Sequence, residues 1–155
     1  MTINEFPGIN ECFKTHKIVY LITFNKKEEA HSRPMTNFNE DPSKIFWFPT
    51  FRDTQKVKDI KENPKVLVLF PCEDHGYFYE IEGKASFGTS SEVLQKWEWW
   101  YLFWHPMQRD KFWISRTGEH PNRVIINVEP VTTRVINKDK IEYLDVSYRT
   151  VILKE

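Results

Sequence analysis

The chain has 155 residues, with 22 basic residues balancing 22 acidic ones, 40% hydrophobic and 15% aromatic residues. That is enough chain and apolar surface for one folded domain spanning residues 1–155, and too little net charge to draw it to nucleic acid or an anionic membrane. No apolar run approaches the roughly 20 residues needed to span a bilayer as a helix, so no membrane role is expected. The first 14 residues, MTINEFPGINECFK, are polar and acidic where a signal peptide needs an apolar run, so a cytoplasmic protein is expected. Its two cysteines, Cys12 and Cys72, lie far apart without a pattern, which suits free thiols in a reducing compartment.

In chain order, Phe6, Ile9 and Phe13 predict a short amphipathic helix over residues 6–16. The β-rich run 17–24 (KIVYLITF) predicts a strand, and the polar turn 25–29 hands over to a second strand, 30–35, in a hairpin. Pro34 cannot donate to a ladder, so that strand belongs at a sheet edge, a bulge or a ligand-facing gap. Residues 45–50 (IFWFPT) predict a third strand, ended by Pro49. Asp53 or Thr54 then starts a helix with Val57 and Ile60 facing inward, and Asn63-Pro64 stops it.

Residues 66–70 (VLVLF) read as a strand covered on both faces, and 77–87 as another, with Gly83 a bulge or close backbone approach. Thr89-Ser90-Ser91-Glu92 is a capping box that opens a helix carrying Val93, Trp97, Trp100, Tyr101 and Trp104. Residues 111–115 are ambiguous; 124–128, extendable to 136, and 147–153 predict further strands. Five to seven hairpin-connected strands with two or three helices describe a β-rich α+β domain, an antiparallel barrel with peripheral helices.

Residues 31–57 carry the candidate chemistry. A helix beginning near Asp53 offers unpaired backbone N–H groups and the positive end of its dipole to an anion. Thr50 and Thr54 add hydroxyls and Lys56 adds a cation where the bare helix prefers an acid. Arg33, on the neighbouring strand, can contact the same anion with two parallel hydrogen bonds. From spacing alone the plainer reading, ordinary surface residues around a capped helix, stands ahead.

The order of several short strings changes that balance. Ser32-Arg33-Pro34-Met35, Phe46-Trp47-Phe48-Pro49-Thr50, Thr54-Gln55-Lys56-Val57, Ile60 to Val66 (IKENPKV), Tyr79 to Ala85 (YEIEGKA), Arg123-Val124-Ile125 and Val128-Glu129-Pro130 follow one another as in a known family. Over residues 16–137 the chain resembles the FMN-binding split-barrel proteins, in the general-stress-protein branch related to pyridoxamine 5'-phosphate oxidase. The resemblance implies a homodimer of split barrels with one FMN in each of two interface grooves. It implies that Arg33, Thr50, Thr54 and Lys56 hold the phosphate and ribityl chain, that Ser32, Pro34 and Met35 lie along the isoalloxazine, and that Phe48 and Pro49 wall the pocket.

The oxidases proper carry a C-terminal arginine segment that grips substrate, and the tail after Asp145, with Arg149 its one arginine, does not align to it. A flavoprotein oxidoreductase with an unassigned small-molecule substrate or electron donor is therefore expected, rather than a genuine pyridoxamine-phosphate oxidase. The alternative is a non-catalytic flavin-binding stress protein, a carrier or sensor. Split barrels also accommodate deazaflavin or haem, the latter needing an axial ligand such as His31 or His105. The aromatic run 97–106 (WEWWYLFWHP) packs one face on the barrel; Trp99 and Phe103 then need other cover, and Trp104, His105 and Arg109 are possible pocket residues. No metal site is expected, because Cys72 and His75 have no second half of comparable spacing.

Overall fold

A computed structural model describes residues 8–72, 77–103 and 122–137. Nine elements follow in chain order: α1 (Ile9–Thr15), β1 (Ile18–Phe24), β2 (Ala30–Thr36), β3 (Phe46–Phe51), α2 (Gln55–Glu62), β4 (Lys65–Cys72), β5 (Tyr77–Phe87), α3 (Ser90–Phe103) and β6 (Arg123–Asn137). The six strands form one wholly antiparallel sheet in the order β2-β1-β4-β5-β6-β3. The sheet curls into a half-barrel, as expected of a split barrel, and leaves β2 and β3 as its two edges.

Strand alternation sorts the side chains into two faces. Val19, Leu21, Val66, Val68, Phe70, Tyr79, Ile81, Ala85, Ile126, Val128, Phe46 and Phe48 line the concave face, where α1 adds Ile9 and Phe13 and α2 adds Ile60. Phe13 sits between Phe46 and Phe70, with ring centroids 5.1 Å from each. On the convex face Tyr20, Ile22, Phe24, Leu67, Leu69, Phe78 and Ile136 form a second cluster. β4 is thus buried on both faces, the reason its sequence shows no polar alternation. Trp97 of α3 packs on Ile125 at the β3–β6 end, and its indole N–H donates to the Val124 carbonyl at 3.2 Å.

The edges carry the prolines. Pro34 lies in β2, at one edge, as its missing N–H requires. Pro49 does not end β3: the strand continues to Phe51, because among the described residues β3 pairs only with β6 and Pro49 leaves that ladder intact. β4 likewise runs beyond the expected 66–70 to include Pro71, past the last residue that faces β1. The register of β5 against β6 shifts between Glu82 and Gly83, the bulge expected there.

α3 opens on the predicted box, with the Glu92 N–H donating to Thr89 Oγ1 at 3.2 Å. The free-thiol expectation fails for Cys12, which is disulfide-bonded; its helix α1 packs against β4 rather than standing apart from the sheet. The expected elements at 111–115 and 147–153 lie outside the described residues. Among the described helices none is long and apolar enough to cross a membrane.

Candidate functional site

Helix α2 links the edge strand β3 to the β1–β2 side of the sheet. It begins four residues after β3 ends, packs on β1, and reaches β2 through a buried carboxylate. Val57 and Ile60 hold it down, as their spacing predicts, with Asp59 beside them at 0% exposure. Thr54 is the N-cap in extended geometry, but its hydroxyl makes no cap bond to the helix; it donates to the Phe51 carbonyl at 2.9 Å. The first turn contains no acidic residue. The leading N–H groups of α2 therefore have no capping side chain and no acid within the first turn.

Two cations converge on this end. Arg33 stands on the concave face of β2, opposite Leu21 and between His31 and Met35 in the alternation. Its Nη1 donates to Thr23 Oγ1 at 2.8 Å and to the Leu21 carbonyl at 3.3 Å. Lys56, half-buried in the first turn of α2, is close enough to feel Arg33: burial, then repulsion by that guanidinium, lowers its pKa. Burial also lowers the Arg33 pKa, with Asp59 opposing the shift. Neither Arg33 nor Lys56 forms an ion pair among the described residues. Two desolvated like charges facing one another are costly unless an anion sits between them.

Asp59 organises the back of the site. Its Oδ2 accepts from Thr23 Oγ1 and lies against His31 Nδ1, both at 2.7 Å, while Oδ1 accepts from Gln55 Nε2 at 2.8 Å. Burial raises its pKa, but the hydrogen bonds from Thr23, His31 and Gln55 together hold it below the ordinary carboxylate value.

The expected site residues separate into groups. Arg33, Thr54 and Lys56 gather at the N-terminus of α2, and Thr50 lies on the concave face of β3 just before it. Thr50 is buried, with a hydroxyl that bonds to no described residue. Met35 shares the Arg33 face, half-buried against the core. Ser32 and Pro34 point to the opposite face of β2, and the Ser32 hydroxyl is buried there without a hydrogen-bond partner among the described residues. Phe48 is fully buried in the concave core and Pro49 alternates away from it. Trp104, His105 and Arg109 lie outside the described residues.

Asp59, Thr23 and Gln55 were not singled out from sequence. The signal was present: Lys56, Asp59 and Ile60 share one helical face by their i, i+3 and i, i+4 spacing, so an inward Ile60 carries the other two toward the sheet. The donor set suits an oxyanion. Guanidinium, ammonium, free helix N–H groups and an unbonded hydroxyl all donate, and the Asp59 carboxylate is turned to the back of the site. Among the described residues no cluster of His, Cys, Asp and Glu could hold a metal ion.

The family described as pyridoxamine 5'-phosphate oxidase like matches residues 5–146. General stress protein 26 of Bacillus subtilis (strain 168) is 32% identical over 131 residues, covering 79% of this chain and 81% of that protein. A crystal structure described as a putative pyridoxamine 5'-phosphate oxidase from Listeria innocua superposes with a TM-score of 0.63 at 24% identity, covering 83% of this chain and 95% of that one. The crystal structure of general stress protein 26 from Bacillus anthracis str. Sterne gives a TM-score of 0.59 at 27% identity, over 83% of this chain and 90% of its own. By sequence and by fold, this chain belongs to the pyridoxamine 5'-phosphate oxidase-like family, in similarity to general stress protein 26.

Proposed function

We propose that the protein binds flavin mononucleotide at the α2 N-terminus and works as an FMN-dependent oxidoreductase on a small molecule. The observation that carries the reading is the pair Arg33 and Lys56, half-buried and mutually repelling beside a helix N-terminus with no acid in its first turn. A phosphate monoester relieves that repulsion and takes up the free N–H groups. Family membership supports flavin as the molecule bearing the phosphate.

In this reading Arg33 and Lys56 neutralise the phosphate, while Thr50 and Thr54 hydrogen-bond the phosphate and ribityl chain. The β2 backbone through Ser32, Pro34 and Met35 runs along the ring, with Phe48 and Pro49 on the pocket wall. Bound there, the flavin supplies hydride or electron transfer, and the protein supplies its position and electrostatic setting. A second copy of the chain completes the groove, so the working form is a homodimer in the cytoplasm. The segment around Arg149 does not align to the oxidases' substrate-gripping arginine segment, which supports leaving the small-molecule substrate open rather than assigning pyridoxamine phosphate.

The test is an absorption spectrum of protein purified without added cofactor, followed by FMN titration. The expected result is a flavin spectrum, or an FMN-induced rise in melting temperature; the absence of both refutes the reading. The same tail motivates a second reading, a flavin carrier or sensor without turnover. Steady reduction of bound flavin by NAD(P)H and its reoxidation would rule that out.

A further inference from the structure

The bonding of Arg33 is one-sided. Both hydrogens of Nη1 are engaged, by Thr23 Oγ1 at 2.8 Å and the Leu21 carbonyl at 3.3 Å. Nε and Nη2 make no hydrogen bond to any described residue. That leaves free the guanidinium edge that meets an oxyanion with two parallel N–H donors. A guanidinium at the end of a long side chain keeps such a pose only when something holds its other side.

That hold is traceable to a single carboxylate. The Thr23 hydroxyl has one proton and two acceptors in reach, the His31 carbonyl at 3.5 Å and Asp59 Oδ2 at 2.7 Å, and the much shorter bond to the carboxylate takes it. Its oxygen is then fixed as the acceptor for Arg33 Nη1. Asp59 is fully buried and cannot swing away, because Gln55 and His31 hold it from α2 and β2. The chain Arg33 to Thr23 to Asp59 thus crosses three elements, β2, β1 and α2. Asp59 also offsets part of the Arg33 charge, and among the described residues nothing comparable acts on Lys56.

We infer that Asp59 is the positioning residue of the anion site, aiming the free edge of Arg33 through the Thr23 hydroxyl. This inference rests on the reading of the α2 N-terminus as an anion site, and not on the anion being a flavin's. Asp59 and Thr23 do not touch the ligand: they set the geometry of the residue that does.

The test is a double-mutant cycle on the full-length protein, read with three probes: FMN, riboflavin and inorganic phosphate. Thr23→Val keeps the shape and the β-branch while removing the hydroxyl. It should weaken FMN and phosphate binding by roughly tenfold, as loss of a charged hydrogen bond does, and leave riboflavin unchanged. In an Arg33→Ala background the same substitution should have no further effect, since the relay no longer ends on anything. Asp59→Asn should follow the same pattern. If it fails to fold, the Thr23→Val cycle stands alone.

An equal loss with and without Arg33, or no loss in the native background, overturns the relay. Phosphate binding with the expected coupling but no binding of FMN would keep the relay and refute the flavin reading. A protein that binds none of the three probes would refute both.

Discussion

At the scale of single residues, Arg33 and Lys56 differ from ordinary stabilising side chains. Each is desolvated, and the Arg33 guanidinium repels Lys56, so the pair is held at a cost that an anion removes. Lys56→Ala should therefore weaken FMN binding by roughly tenfold to a hundredfold while leaving the melting temperature of the unliganded protein unchanged or higher. Loss of binding accompanied by a large drop in that melting temperature would instead mark Lys56 as a structural residue. The pH dependence has a sign. The folded Lys56 pKa lies below its ordinary 10.5, so the cost of its charge is present below the folded pKa and disappears as pH rises through it. Stabilisation by phosphate or FMN should accordingly shrink on the alkaline side, and Lys56→Arg, which stays charged, should preserve it.

Asp59 carries the opposite dependence. Its folded pKa lies below the ordinary 3.8, so its contribution is complete above that value and lost as pH falls through the lower folded one. In acid melts, native protein should lose stability over that window, and Asp59→Asn should lose less. Parallel curves for the two proteins would show that the carboxylate is not ionised in the fold. Why sequence passed over this residue is physical. An aspartate between two lysines (Lys58 and Lys61 flank it) and beside Ile60 looks like a solvated face until a threonine, a histidine and a glutamine from three elements are brought to it.

At the scale of elements, most strands were legible because their side chains are apolar in runs that only a sheet with two covered faces can bury. The run 66–70 became β4, and the single run 124–136 became the long strand β6. Strand ends were less legible. Prolines at 49 and 71 look like stops, yet each lies inside a strand where the ladder on its N–H side is absent or already finished. Gly83 was legible as a tight approach, and its cause is specific. A Cβ there would come 2.6 Å from Val128 Cγ1 and 2.9 Å from the Glu129 carbonyl oxygen. Gly83→Ala should cost about 1–3 kcal/mol in chemical denaturation, as overpacking does. Adding Val128→Ala should not restore the loss, because the backbone contact remains. Full restoration would mean that only the valine methyl made the position need glycine.

At the scale of the whole molecule, balanced charge leaves anion capture to local groups, and the curl of the sheet decides where those groups meet. β2 and β3 are far apart in the strand order, and α2, which follows β3 in the chain, packs on β1 and reaches β2 through Asp59, so Arg33 of one edge strand meets the helix that leaves the other. No local pattern in the sequence contains that meeting; it depends on the antiparallel order of all six strands. The same topology bears on how the proposed second copy would dock. Both edge strands carry a proline, which discourages growth of the sheet by edge pairing, so the proposed second copy would meet this one through side chains. Ile18, Ile45, Phe51, Leu94, Val131 and Val135 are large apolar residues left exposed in the single chain. Scattered exposure of this kind is normal for a monomer, so the homodimer rests on the split-barrel resemblance and needs its own measurement. Sedimentation of the FMN-bound protein should give twice the 18.7 kDa chain mass, with a melting temperature that rises with protein concentration. A species of 18.7 kDa carrying a full equivalent of FMN would show that one half-barrel completes the site without a second copy.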